Sequence, residues 1–347
     1  MDGIIARDRN PDRGGPAQPL LLARDLRKHF PVMGGLLGRT TKVVRAVDDL
    51  TLTVAKGETL GVVGESGCGK STLARLLMRL IVPDTGTMVL DGDPVDEPHG
   101  ITVNELRRNV QMVFQDSYAS LNPRLTIVET LAFAPRAHGL GAAEARARSR
   151  DLLAKVGLDP NSFADRYPHE LSGGQRQRVN IARALALRPR LVILDEAVSA
   201  LDKSVEAQVL NMLVDLKGEF GLTYVFISHD LNVVQYLSDR VLVMYLGKIV
   251  EIGEAEAIYG NPQHPYTRAL LSARPSMDPR KRTNEAPIQG DPPNPIDPPS
   301  GCRFRTRCPF AEGVCAKVEP LLSDTGAQSV ACHMSVPGSG HSRAVRR

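Results

Sequence analysis

Residues 64–72 read GESGCGKST. Gly64, Gly69, Lys70 and Ser71 occupy the fixed positions of G-x-x-x-x-G-K-S/T, and Ser66, Gly67 and Thr72 complete the loop. TLGVVG before it predicts a strand and STLARLLMRLI behind it a helix, the context such a loop requires. The glycines let backbone N–H groups turn inward as an anion cradle, and the helix adds its positive N-terminal end. This chemistry suits nucleotide phosphates, with Lys70 reaching the β- and γ-phosphates and the Ser71 hydroxyl binding Mg²⁺. Cys68 falls on an unspecified position of the motif and needs no role. Downstream, LVILDE (191–196) predicts a buried strand ending in two carboxylates. Asp195 can hold Mg²⁺ through water, and Glu196 can polarise an attacking water as general base. Without the phosphate loop, the pair would read as solvated carboxylates at a strand end.

The elements that must position these groups are legible as a pattern. From about residue 20, strand-like and helix-like segments alternate with short turns, which predicts an α/β domain around a largely parallel sheet. VQMVF (110–114), LVILD (191–195) and TYVFIS (223–228) are short apolar runs of the buried-strand kind. AEARARSRDLLAKVG (143–157) and SVEAQVLNMLVDLKGEFG (204–221) have helical spacing and stop near glycine. The 347 residues are 42% hydrophobic and 24% charged, an ordinary soluble composition. A net charge of +4, scattered along the chain, argues against a nucleic-acid binder. No apolar run approaches the ~18–20 residues that span a bilayer, and the N-terminus lacks an apolar signal core. A cytoplasmic protein that meets a membrane only through partners is expected. The expected organisation is a disordered arm over 1–18, a nucleotide-binding domain over 19–275, an extension over 276–336 and a disordered tail over 337–347. The extension opens with a proline- and charge-rich stretch.

LSGGQ at 171–175, opening the helical stretch QRQRVNIARALALRP upstream of the carboxylate pair, is decisive. Together these motifs resemble the ATP-binding cassette (ABC) ATPases over about residues 20–270. The resemblance implies a P-loop NTPase fold: a RecA-like core with antiparallel β and helical subdomains, the latter over about 116–175. It implies that Gln115 senses Mg²⁺ and the transport partner. Asp202, in SALD, would lie in the loop crossing a dimer interface, and His229, in FISHD, would contact the γ-phosphate. Ser172, Gly173, Gly174 and Gln175 of one chain would close over the nucleotide held by a second. Phe30 is placed to stack on adenine; an ordinary core aromatic is the alternative. Asn180, inside the helix after the signature, stands where relatives carry a small apolar residue and raises a question of packing.

VFQDSYASLNPR, DRYPHELSGGQRQR, DEAVSALDKSVEAQVLN and NPQHPYTRALLSARP resemble the oligopeptide/dipeptide importer ATPases, and LRKHFPV with its GGLLGR insertion resembles the second ATPase subunit of such systems. The implied partners are a paralogous ATPase, two transmembrane permeases and an extracytoplasmic solute-binding protein, at the cytoplasmic face of the inner membrane. Nickel, glutathione and sugars are alternative solutes, and a soluble, non-transport cassette ATPase is the rival class.

The remaining cysteines follow as Cys302-x5-Cys308-x6-Cys315-x16-Cys332. The spacing lacks the C-x2-C pairs of a zinc ribbon. A reducing compartment disfavours disulfides, and an all-thiol set suits a 4Fe–4S cluster or Zn²⁺. Arg303, Arg305 and Arg307 are expected to lower the thiol pKa values. Cluster, zinc and buried free thiols remain open; the family resemblance favours the cluster.

Overall fold

The computed structural model describes Gly15 and residues 18–34, 39–274, 290–291 and 293–345. The chain divides into two compact units. Met1–Leu22, Thr53–Thr59 and Met88–Ile227 form one, here the signature unit. Ala23–Leu52, Leu60–Thr87 and Ser228–Arg347 form the other, the loop unit.

The chain begins with two long strands, β1 (Leu21–Gly34) and β2 (Arg39–Val54), which carried no sequence forecast. β3 (Thr59–Val63) leads to α1 (Lys70–Leu77), followed by β4 (Thr85–Leu90), β5 (Asp93–Pro94), α2 (Val103–Asn109) and β6 (Val110–Val113). Helices α3 (Ile127–Ala137), α4 (Ala142–Lys155), α5 (Pro160–Phe163) and α6 (Gly173–Leu185) come next. Then β7 (Leu191–Asp195), α7 (Lys203–Phe220) and β8 (Thr223–Ile227) complete the signature unit. In it β6, β7 and β8 run parallel, with Val113 opposite Leu194 and Asp195 opposite Ile227. Every residue of β7 and β8 is buried, as in a parallel strand covered on both faces. Capping boxes start α2 (Thr102, Glu105) and α3 (Thr126, Glu129). α7 stops at Gly221, whose φ of 60° gives the left-handed turn that ends many helices. α3 packs on α4, and α4 on α5 and α6.

The loop unit continues with α8 (Leu231–Leu237), β9 (Arg240–Tyr245), β10 (Lys248–Glu254), α9 (Ala255–Gly260) and α10 (Pro265–Ser272). Its β3 and β9 are parallel, Val63 opposite Val243, and β9 folds back on β10. The two-residue turn Leu246–Gly247 has φ of 43° and 80°, the signs a type I′ hairpin needs. α11 (Gly313–Lys317), β11 (Ser323–Asp324) and β12 (Gln328–Val330) belong to the extension. β12 adds to β10, Val330 opposite Glu251, and β11 to β12. The extension thus continues the sheet by main-chain hydrogen bonds.

Most of the arm expected over 1–18 and of the proline-rich stretch after 275 lies outside the described residues. The end expected to be disordered differs. Residues 337–345 are mostly exposed but anchored: His341 is buried with its Nε2 meeting the Phe310 carbonyl at 2.8 Å, Ser342 N donates to Glu312, and Arg343 lies over the Phe310 ring. Its glycine-rich composition hid these long-range partners.

His264 caps α10, its Nδ1 accepting from Tyr266 N at 3.0 Å, and is 1% exposed. Burial pushes its pKa down to about 3. An unfolded histidine takes up a proton near pH 6.5, so this neutral ring contributes stability that is present above that pH and lost as pH falls towards the folded value. Glu251, whose carboxyl burial pushes up, acts in the opposite sense, so the readout is a difference. Between pH 7 and pH 5 the parent should lose about 2 kcal/mol more unfolding free energy than His264→Asn, which keeps a capping acceptor. Denaturant titrations at the two pH values measure it.

Candidate active site

The phosphate loop lies in the loop unit between β3 and α1. Its glycines are required by space as well as by φ. Gly64 has φ of 152°, and a Cβ there would meet the Met244 carbonyl oxygen at 2.3 Å. Gly69, at φ of 111°, would meet the Ala46 carbonyl oxygen at 2.1 Å. Lys70, 6% exposed, donates from Nζ to the carbonyls of Gly64 (2.6 Å) and Glu65 (3.0 Å). The lysine is therefore folded over its own loop, at the mouth of the cradle that a phosphate would share. Ser66 and Gly67 are exposed at the loop tip, and Ser71 and Thr72 are half-buried in the first turn of α1. Cys68 is buried, which pushes its thiol pKa up and keeps it protonated. His229 is exposed, just before Asp230, which caps α8 by accepting from Asn232 N at 2.9 Å. Phe30 on β1 is 37% exposed, so it is not the core aromatic of the alternative reading.

The signature unit carries the acidic pair. Asp195 ends β7 and is 5% exposed. Glu196 sits in the left-handed region, φ 50°, a conformation that costs a non-glycine residue of the order of 1–2 kcal/mol. Its backbone is held there: Glu196 N donates to Ile227 O at 2.9 Å, and Ser199 Oγ donates to Glu196 O at 3.0 Å. Its carboxylate accepts from Gln115 Nε2 at 2.8 Å. The structure therefore joins two residues that the sequence placed 81 positions apart. Asp202 is exposed at the N-cap of α7.

Ser172 caps α6 in a capping box with Gln175: Gln175 N donates to Ser172 Oγ at 3.3 Å, and Ser172 N to Gln175 Oε1 at 3.0 Å. A Cβ on Gly173 would meet nothing within 4 Å, whereas one on Gly174 would meet Val205 at 2.5 Å. Packing inside the unit thus explains Gly174, and open space over Gly173 leaves room for something from outside. Asn180 answers the packing question: fully buried, it donates from Nδ2 to Ser117 O at 3.0 Å. Arg183 donates to Ser120 O, and Arg176 lies 5.1 Å over the Tyr118 ring. Three residues of α6 therefore grip the segment just after Gln115. Sequence reading missed Arg176 and Arg183; only their helical spacing with Asn180 on one face signals it.

A family described as "ABC transporter" matches residues 47–199. The oligopeptide transport ATP-binding protein AppF of Bacillus subtilis is 48% identical over 322 residues, covering 91% of this chain and 98% of its own. The chain belongs to the ABC transporter ATPase family. The dipeptide transport ATP-binding protein DppF of Escherichia coli is 48% identical over 91% of this chain and 94% of that one. A probable peptide ABC transporter ATP-binding protein of Sinorhizobium fredii is 51% identical over 92% and 91%. Among solved structures, CbiO1 of Clostridium perfringens, part of an ABC transporter complex, matches with a TM-score of 0.60, 27% identity, 70% of this chain and 91% of that one. A dimeric ATP-binding cassette in a post-hydrolysis state with ADP and Pi matches at 0.59 and 28% identity, over 68% and 98%. The expected ABC ATPase fold holds.

A second family, described as "Oligopeptide/dipeptide transporter, C-terminal region", matches residues 250–315. In this ABC ATPase the tail cysteines are free thiols. All four line one cavity of about 10 Å³, with His264, His333 and His341 also in its wall. Such a space takes about one water. Among the described residues no group of three or more His, Cys, Asp or Glu is arranged to hold a metal ion. The structure thus gives the metal expectation its donors and not its geometry. The expected lowering of the thiol pKa values is overturned. Burial, with mutual repulsion among the thiolates, pushes Cys302 up to about 12 and Cys332 up to about 11, and burial raises Cys308. The arginines are turned elsewhere: Arg303 pairs with Asp48, Arg307 with Glu65, and Arg305 donates to Ser300 O.

Proposed function

We propose that this chain is the ATP-hydrolysing subunit of an importer of di- or oligopeptides. The observation that carries the reading is one chain holding both a complete cassette motif set and the oligopeptide/dipeptide transporter C-terminal region, with relatives near 50% identity named for peptide transport. Lys70 and the glycine-lined loop hold the β- and γ-phosphates. Ser71, Asp195 and Gln115 are the residues that would hold Mg²⁺, which would supply positive charge to the phosphates. Glu196, fixed by its strained backbone and by Gln115, polarises the attacking water, and His229 supports the γ-phosphate. Phe30 stacks on the adenine. Ser172, Gly173 and Gln175 at the N-terminus of α6 face the nucleotide of a second cassette, where an exposed glycine and a helix N-terminus suit an anion. Asp202 lies at that dimer contact.

Among the described residues no helix is long and apolar enough to cross a membrane. In the proposed assembly two permeases supply the membrane path, at the inner-membrane face, with a paralogous cassette as partner and an extracytoplasmic binding protein as the source of selectivity. The α3–α5 region around 116–175 docks on the permeases and reports to Gln115 through the grip of α6. Tagged protein from detergent-solubilised membranes should bring down two permease chains and a second cassette; recovery as a lone chain would contradict the assembly.

The four tail thiols have the donor chemistry for a 4Fe–4S cluster or Zn²⁺, and a structural centre there is the finer part of this proposal. Visible absorbance and metal analysis of anaerobically purified protein decide it, and colourless, metal-free, fully active protein would remove the centre.

A further inference from the structure

A carboxylate inside a loop built to hold phosphates is at odds with its task. Glu65 follows Gly64 directly, and its own backbone is part of the cradle: its carbonyl accepts from Lys70 Nζ at 3.0 Å and from Cys68 N at 3.2 Å. Its N–H donates to the Tyr266 hydroxyl at 2.9 Å. The side chain turns to the extension. Arg307 grips it in a bidentate fork, Nη1 to Oε2 at 2.7 Å and Nη2 to Oε1 at 3.0 Å. The arginine side chain is only 6% exposed and the carboxylate 22%, so little water is present to screen the charge.

Arg307 is itself fixed. Phe304, 2% exposed, packs edge-on to Tyr245 at 5.3 Å and against Tyr266 at 5.4 Å. Arg303, one residue before it, pairs with Asp48 and donates to the Leu246 carbonyl. The next residue of that hairpin turn, Gly247, donates to Cys68 O at 2.8 Å. The segment 303–307 therefore touches the phosphate loop directly through Glu65 and indirectly through the β9–β10 turn.

We propose that Arg307 of the C-terminal extension is a positioning residue for nucleotide binding, which neutralises Glu65 and holds the phosphate loop in its anion-accepting form. Glu65 loses its repulsion for the phosphates while its backbone stays available to Lys70. The extension is thereby part of the ATP site's support as well as a mark of the subfamily. The proposal rests on the reading of residues 64–72 as the phosphate site.

The test is a mutant cycle on the full chain, with the dissociation constant of a fluorescent ATP analogue and Mg²⁺ as readout and melting temperature recorded alongside. Arg307→Ala should weaken binding about tenfold by leaving an uncompensated carboxylate beside the phosphates. Glu65→Gln loses the fork but also the charge that repels the phosphates, so it should weaken binding clearly less than Arg307→Ala does. The double variant Arg307→Ala/Glu65→Gln should recover most of the loss, a rescue that a general loss of folding would not give. Arg307→Lys keeps charge and loses the fork, so it should weaken binding about threefold and serves if the alanine variant does not fold. Parent affinity in both Arg307 variants, or a double variant as weak as Arg307→Ala, would overturn the proposal. Lys70→Ala tests the underlying reading separately: parent affinity there would show that the phosphates bind elsewhere.

Discussion

Glu196→Gln should lower ATP turnover by about 10²–10⁴-fold, the range of a lost general base, while nucleotide binding stays near the parent value. The amide keeps the size of the side chain and can still hydrogen-bond Gln115, so the left-handed backbone at 196, held by Ile227 and Ser199, is undisturbed. With binding intact and hydrolysis stopped, the two-cassette, ATP-bound form should accumulate. Size-exclusion chromatography with Mg·ATP reads this as a shift to the dimer that persists for hours, and a phosphate-release assay gives the rate. Parent turnover in this variant would remove Glu196 from the chemistry.

The second large effect concerns Lys70. Replacing it with alanine removes the ammonium placed at the mouth of the loop and the two donations that fold it onto Gly64 and Glu65. Hydrogen bonds to charged groups contribute about 1.5–3 kcal/mol, so loss of the phosphate contact should weaken ATP binding by about a hundredfold at the upper end. Titration of the variant with a fluorescent ATP analogue measures the loss, and an unchanged melting temperature without nucleotide confirms that it is a loss of binding.

The legibility of this chain follows the range of its interactions. The phosphate loop, the β7 carboxylate pair and the start of α6 are set by neighbours within a few residues: glycines where φ is positive, a capping box between Ser172 and Gln175, an apolar strand ending in acids. Each could be read from its own short stretch, and the strands near 59, 110, 191 and 223 were legible for the same reason. What could not be read is long-range. The Gln115–Glu196 bond, the Asn180–Ser117 bond and the Arg307–Glu65 fork join residues 81, 63 and 242 positions apart. The arginines among the tail cysteines show the cost most clearly. By sequence they belong with the thiols, and a lowered thiol pKa follows. In space Arg303 faces Asp48, Arg307 faces Glu65 and Arg305 turns to Ser300, and burial decides the thiol pKa instead. The terminal segment misled for a related reason, since Gly, Ser and Pro favour turns and do not report that His341 and Ser342 find partners at Phe310 and Glu312.

As proposed, this cassette spends ATP to drive peptide entry. The most direct measurement is uptake of a radiolabelled dipeptide into proteoliposomes that contain the chain with its co-purified permeases and second cassette. The binding protein is added on one face and Mg·ATP on the face that carries the cassettes. Uptake should require ATP, fail with a non-hydrolysable analogue, and be lost with Glu196→Gln although the assembly is intact. ATP hydrolysis without dipeptide uptake would contradict the assigned cargo, and uptake at the parent rate with Glu196→Gln would contradict the mechanism itself.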